Sequence, residues 1–337
     1  MGEAQTAVAD NQRHDLRWIG RIGGYLLTIL ALLTLNFLLP RLMPGDPIDA
    51  LVAQSASNFT FGEESRAALE AYYGLDEPVL AQYRSYLADV AQGDLGRSIA
   101  TNAEVGDEVR RRLPWTLLLI GTSLGVATLV GVLAGVHSGW RRGRRLDRAL
   151  LTTLLSVREF PTFLLGSLLL FLFAVKLDWL PLAGAETPFL TDVGIGERVA
   201  DVGRHLFLPA TVLAVGLTAG SFLLMRASMI SELGADYLLM GRAKGLRDRR
   251  LKYRYAARNA MLPVVSLTAL QVGFAVTGDV LIERVFSYPG LGSLLFESIS
   301  SRDYPAIQGA FLVVSVSVVT VNALADVLYR RIDPRAQ

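Results

Sequence analysis

Cysteine is absent from the 337 residues, which excludes disulfides, thiolate metal sites and cysteine nucleophiles. Histidine is almost absent: His14, His137 and His205 are isolated from one another, and none has a second histidine at metal-ligand spacing. A zinc site built on paired histidines is therefore excluded. Lysine is scarce, with only Lys176, Lys244 and Lys252 among 33 basic residues, and 31 acids leave a formal net charge of +2. A global electrostatic attraction to nucleic acid has no basis in that balance. Charge of either sign is thin at 19% of the chain, below the roughly 25% of ordinary soluble domains.

Nucleotide and hydrolytic signatures are missing too. No Gly-x-x-x-x-Gly-Lys-Ser/Thr is present to cradle phosphates, and Lys244-Gly245 has the reverse order. There is no His-Glu-x-x-His, and no serine has a persuasive histidine partner. His137 reads as a loop-edge residue and His205 as an interfacial one. The sequence predicts a chain with no catalytic residues, no metal site and no cofactor of its own.

What is present is apolar length: 52% of residues are hydrophobic. Crossing a hydrocarbon core about 30 Å thick takes roughly 20 mostly apolar residues in a helix. Six stretches qualify, at about 19–39, 113–136, 150–175, 206–230, 262–282 and 306–328. The first follows Arg13 and Arg17 but runs into Pro40-Arg41-Leu42-Met43-Pro44 rather than a small-residue cleavage site, so it reads as a retained helix.

The intervening segments orient these spans, because short cytoplasmic loops collect Lys and Arg. Residues 139–148 carry five arginines against Asp147, and 232–259 carry eight basic residues against Glu232, Asp236 and Asp248. Residues 41–112 hold seven arginines and twelve acids, and 177–205 are acidic as well. Both termini are therefore expected in the cytoplasm. The domain reading is a cytoplasmic tail (1–17), a first transmembrane helix (18–40), an external segment (41–112), a five-helix core (113–330) with a cytoplasmic loop at 232–261, and a short tail (331–337). In the external segment Val79, Leu80, Tyr83, Tyr86, Leu87 and Val90 recur at helical spacing, with Asp76 expected as the N-cap and Pro78 in the first turn. That predicts an amphipathic helix on the outer face.

The most informative cytoplasmic stretch runs Ala235-Asp236-Tyr237-Leu238-Leu239-Met240-Gly241-Arg242-Ala243-Lys244-Gly245-Leu246 and continues to Leu262-Pro263. Positive-inside bias alone would produce a wet basic loop. Tyr237, Leu238 and Leu239 are apolar instead, Gly245 falls where a helix C-cap would sit, and Pro263 stands at a helix entry. A short helix with apolar and basic faces is suited to inserting into a cleft on a partner.

This segment resembles the coupling segment of ABC importer permeases, in which a glycine precedes a Leu-Pro by 17 or 18 residues. Gly245 and Leu262-Pro263 match that spacing. The Glu-Ala-Ala that opens the general pattern is replaced by Leu239, Met240 and Gly241, whereas Arg242-Ala243-Lys244-Gly245-Leu246 matches the run found in the dipeptide and oligopeptide branch. Further pieces like that branch stand in the same order along the chain. They include Pro44 to Pro47, Tyr73 to Asp76, Gly93 to Ser98, Leu113-Pro114, Arg226 to Met229, Glu283 to Gly292, Asn322 to Asp326 and Asp333-Pro334-Arg335.

The resemblance implies an all-α, six-span type I ABC importer permease. It also implies a second, similar permease subunit, two cytoplasmic ATPase subunits that use ATP and Mg, an external substrate-binding protein, and surrounding lipid. The expected cargo is a dipeptide or oligopeptide; nickel or another small solute on the same machinery stays open, as do a partner-independent secondary transporter and a membrane scaffold. The docking surface is assigned to Tyr237, Gly241, Arg242, Ala243, Lys244, Gly245 and Leu246, with Leu262 and Pro263 closing the segment. Gly121/Gly125 and Gly131/Gly135 are expected to allow close helix approach.

Departures from the branch supply candidate pathway residues. Arg158 and Glu159 stand before Pro161, and a straight helix from Leu150 would put Arg158 roughly 12 Å deep. Ionisable groups at such depth face cavities or pair. Asp279 and Glu283, four residues apart on the expected fifth span, form a second set, for a cationic substrate terminus or for neutralising Arg284.

Overall fold

Apolar runs cut by proline and glycine fold here into helices joined by short turns, and the computed structural model describes residues 24, 27–54, 63–190, 193–275 and 279–332. Among the described residues there are no strands, only one isolated antiparallel bridge between Arg97 and Glu104. The expected cytoplasmic tail at 1–17, with His14, lies outside the described residues, as do residues 333–337 of the tail expected at 331–337, with Asp333-Pro334-Arg335, whereas 331–332 continue the last described helix. The chain divides into two compact units, residues 1–109 with 297–316, and 110–296 with 317–337.

In the first unit α1 (Leu27–Leu42) is followed by α2 (Pro47–Gln54), α3 (Glu63–Tyr72) and α4 (Val79–Gln92). Tyr83 and Tyr86, one turn apart on α4, both reach Phe37 of α1, with ring centroids 5.0 and 5.7 Å away. Their hydroxyls are also used: Tyr83 shares a 2.7 Å hydrogen bond with Thr34, and Tyr86 accepts one of 3.0 Å from the buried Asn36 amide. The amphipathic face expected of 79–92 thus packs on α1. The expected cap does not hold, because α4 begins after Pro78, whose carbonyl accepts from Ala81 and Gln82 at 2.8 and 3.1 Å. Proline cannot donate from within the first turn's ladder but suits its edge, so Asp76 is left outside the helix.

Residues 93–104 are pinned to the start of the last helix by Asp303. This buried carboxylate accepts from the Ser98 hydroxyl, from the Ala100 amide at 3.1 Å and from the Ala306 amide at 3.1 Å. It therefore caps α15 (Tyr304–Ile332) and fastens a loop with the same group.

The second unit takes in most of α5 (Val105–Trp140), then α6 (Arg145–Arg158), α7 (Thr162–Leu170, continued by a π-helical turn to Lys176) and α8 (Ile195–Glu232). After these come α9 (Asp236–Ala243), α10 (Asp248–Arg250), a π-helical stretch Leu251–Ala256, α11 (Ala257–Ala260), α12 (Leu262–Ala275) and α13 (Val280–Val285). α14 (Leu291–Ser301) runs on into the first unit's residues. Among the described residues two helices, α5 and α8, are long and apolar enough to cross a membrane alone. Leu27–Leu42 and Tyr304–Thr320 are shorter apolar helices.

Two expected spans are not straight helices. Residues 150–175 are split: α6 ends at Arg158, and α7 starts after Pro161 at a bend of 91°. Pro161 lacks an amide hydrogen and disfavours helical backbone at Phe160, so the ladder stops there. Residues 262–282 are likewise interrupted, since Asp279 is extended (φ −99°, ψ 93°) and a new helix starts after it.

α5 and α8 meet through glycine. A Cβ at Gly131 would lie 2.7 Å from Ser221 Cβ, one at Gly135 2.7 Å from Met225 Cβ, and one at Gly139 2.6 Å from Met229 Cβ. The four-residue repeat aligns three notches on one face, and α8 residues fill them. Gly121 and Gly125 face open space.

Candidate functional site

Apolar spacing decides which way α9 faces. Leu238 and Gly241, three residues apart, are its buried residues. Leu238 enters a core formed by Val136 of α5, Met225 and Met229 of α8, Leu251, Ala256, and Ala257, Ala260 and Val264 of α11 and α12. Gly241 must be small here, because a Cβ would come within 2.5 Å of the fully buried Leu251 side chain. Gly245 adopts the left-handed conformation (φ +72°) and the Leu246 amide donates to the Gly241 carbonyl at 3.1 Å, closing α9 with the expected glycine turn. Leu246 packs beside the same core. The Tyr237 hydroxyl donates to the Glu232 carboxylate, and burial with that carboxylate pushes the phenol's pKa up.

The assigned surface is therefore divided by the fold. Tyr237, Gly241 and Leu246 form the inner side that fastens α9, whereas Arg242, Ala243, Lys244 and Gly245 are exposed. Sequence reasoning omitted two residues of the outer side: Leu239 and Met240, each 60% exposed. The available signal was the helical period itself, since placing Leu238 and Gly241 inward turns the two residues between them outward. Leu262 is half exposed at the start of α12, with Pro263 exposed beside it.

The first turn of α6 is held to α8 by a buried ion pair. Asp147, 1% exposed, takes 2.7 and 3.0 Å hydrogen bonds from the Arg226 guanidinium of α8, one from the Ser138 hydroxyl and one of 2.8 Å from the Gly143 amide. The Arg226 guanidinium holds the Asp147 carboxyl well below the usual carboxylate range, outweighing burial, with Ser138 and Gly143 assisting. An acid that merely offsets arginines in a charge count is in fact the anchor of its helix.

The four ionisable pathway candidates do not form one site. Arg158 is the last residue of α6 and Glu159 its C-cap, both exposed at the bend. The 12 Å depth expected for Arg158 assumed an unbroken helix and does not apply across a 91° corner. Asp279 is the N-cap of α13, its carboxylate accepting from the Ile282 amide at 3.2 Å.

Glu283 is fully buried and accepts from the Thr116 hydroxyl at 2.9 Å and the Ser293 amide at 2.7 Å, while Thr116 itself accepts from the Leu291 amide at 2.8 Å. Carboxylate and hydroxyl together satisfy the first amides of α14. A Cβ at Gly290 would collide with the Glu283 carboxylate and one at Gly292 would come within 2.9 Å of it. The Glu283–Gly292 stretch is thus a buried cap with its loop wrapped round it. As the ligand of that cap, Glu283 has no face left for a cargo in this conformation.

Residues 127–337 match the family of binding-protein-dependent transport system inner membrane components. A protein of Brucella ovis named as a candidate peptide permease is 41% identical over 308 residues, covering 91% of this chain and 94% of its own length. A similarly named protein of Brucella suis is 42% identical over 308 residues with the same coverage. The glutathione transport system permease protein GsiC of Escherichia coli K12 is 36% identical over 316 residues, 94% of this chain and 97% of its own. The apolar α5 and α8 and their glycine-notched contact agree with those matches, and the chain belongs to the family of inner-membrane permease components of binding-protein-dependent transport systems.

Proposed function

We propose that this chain is one of two permease subunits of an ATP-driven importer for dipeptides or oligopeptides, with six spans and both termini in the cytoplasm. Its fold is the type I importer fold, with two spans broken at Pro161 and Asp279. Two separate ATPase subunits bind ATP and Mg and supply the chemical step, an external binding protein delivers the cargo, and this chain carries no cofactor. The substrate class is supported by the names of its relatives, peptide permease and glutathione permease.

The observation that carries the mechanism is the two-sided construction of α9. A helix whose inner side is locked into the ends of α5, α8 and α12 moves with them as one body. Its outer side offers Leu239 and Met240, to bury in a cleft, and Arg242 and Lys244 for the acidic rim of that cleft. Closure of the ATPase pair would thereby shift the membrane helices between outward-open and inward-open states. The exposed Arg158-Glu159 corner is the remaining pathway candidate, while Asp279 and Glu283 serve the α13 and α14 caps.

The test is uptake of labelled dipeptides and oligopeptides, with nickel in parallel, by cells with and without this chain at intact and depleted ATP. Peptide uptake requiring both chain and ATP is expected. Nickel uptake alone would keep the machine and change its cargo; uptake by the purified chain without partners would overturn the assembly.

A further inference from the structure

The first unit contains a cavity of ≈ 520 Å³ between α3, α4, the loop after α4 and the start of α15. Its volume lies within the range of small-molecule sites, roughly 300–1,000 Å³, and the docking and pathway residues above are no part of it. The chemistry of its wall is amphoteric. Glu77, Asp89 and Asp94 line it together with Tyr72, Tyr73 and Tyr86, one Asp94 oxygen also accepting from the Gly96 amide at 2.8 Å. Carboxylates beside phenol faces favour an ammonium group, through charge and through the ring quadrupole.

Positive charge is also present. The Arg41 guanidinium is already committed, lying 3.6 Å from the Phe37 ring centroid and donating to Gln82 Oε1 and the Phe37 carbonyl. Arg97 is held more loosely, by a 3.8 Å contact with Glu104 in which both side chains are about half exposed or more. Gln308, on the same wall, has a buried amide nitrogen with no hydrogen-bond partner among the described residues. A buried donor without an acceptor is a costly arrangement that a ligand oxygen would relieve.

We propose that this cavity binds a short zwitterionic peptide. Its ammonium group sits against Asp89, Asp94 and the tyrosine rings, and its carboxylate against Arg97 and the Gln308 amide. The inference rests on the peptide-import reading, to which it adds a recognition site on the permease itself, in the segment assigned to the outer side. A free peptide carries one group of each sign, which fits a wall bearing both, whereas a metal cation or a neutral solute would leave half of it unused.

The test uses the membrane complex of both permeases and both ATPases in nanodiscs, without the binding protein, titrated with labelled trialanine, N-acetyl-trialanine and trialanine amide. Wild type is expected to bind trialanine saturably and each blocked peptide about tenfold more weakly. Asp89→Asn should weaken trialanine about tenfold and remove the penalty of N-acetylation, and Arg97→Gln should do the same for the amide. Both residues are exposed, and fluorescence-detected size-exclusion of the two variants checks assembly. Absence of saturable binding in a complex whose cells still import trialanine overturns the site and leaves the import reading intact. Variants that bind trialanine like wild type but lose the binding protein would make the cavity a protein-docking surface and equally overturn the site. Cells that import no peptide would remove the import reading and this inference with it.

Discussion

Two halves of α5 carry the same Gly-x-x-x-Gly spacing and meet opposite surroundings. Gly131 and Gly135, extended by Gly139, admit α8 to backbone contact, whereas Gly121 and Gly125 stand open among exposed Leu117, Leu118, Val126 and Leu129. Spacing makes a notch possible. Only a helix that arrives with side chains at the matching height turns the notch into a contact. α9 teaches the same lesson across its width, since Leu238 and Leu239 are chemically identical neighbours, one fully buried and the other 60% exposed.

Substitutions can break the comparison on α5 directly. Gly135→Leu drives a side chain into the Met225 Cβ and the Phe222 carbonyl, and should cost about 3 kcal/mol or more, the upper range for overpacking. Gly125→Leu should stay within about 0.5 kcal/mol, as for surface changes. Thermal unfolding of the purified chain in detergent separates them; equal loss at both positions would mean that the α5–α8 contact is not as close as the notches require.

The buried acid in the first turn of α6 gives a second contrast, with Asp236 and Asp248 as its exposed neighbours in kind. Asp147→Asn leaves the Arg226 charge without its counterion and should cost about 3 kcal/mol. Because the folded pKa of Asp147 is depressed, its stabilisation is fully present above the unfolded carboxylate value of about 3.9 and is lost as pH falls through the lower folded value. Melting temperatures measured from pH 7 down to pH 3 should show an acid limb that is reduced in Asp147→Asn.

Glu283 sharpens the distinction between a cap and a cargo ligand. Glu283→Gln replaces one acceptor oxygen by an amide donor facing either the Ser293 amide or the Thr116 hydroxyl, and should lower stability by about 1–2 kcal/mol. Reduced transport with unchanged stability would return Glu283 to the pathway. The smallest effect on stability is expected at Leu239→Asp, within about 0.5 kcal/mol. That variant should nevertheless lose ATP-dependent uptake and co-purification of the ATPases, while a substitution of the inner Leu238 should lose the fold of α9 first.

Much of the chain was legible because its signals are local. The α4 periodicity from Val79 to Val90, the glycine that ends α9 and the apolar length of α5 and α8 each follow from residues within a few turns of one another. What the sequence did not disclose has two causes, a nearby proline and a distant partner. Asp76 was displaced as cap by a proline two residues away, and Arg158 was assigned a depth from a helix that stops at that residue. Asp147, Asp303 and the Gln308 cavity had no sequence signal, since their partners Arg226, Ser98 and Asn36 lie 79, 205 and 272 residues away in the chain. An isolated polar residue in an apolar run does not announce which neighbour will satisfy it.

Sequence alone determined the class of the protein: long apolar runs and an ordered set of motifs shared with the permease components of binding-protein-dependent transport systems. Those properties depend on composition and on the distance along the chain, which burial in lipid and helical geometry convert into structure without further information. Tertiary structure decided which glycines are contacts, which leucine of α9 faces outward, and which carboxylates are spent on capping and anchoring. These choices depend on what packs opposite, and a side chain's role is settled by the partner that desolvates it.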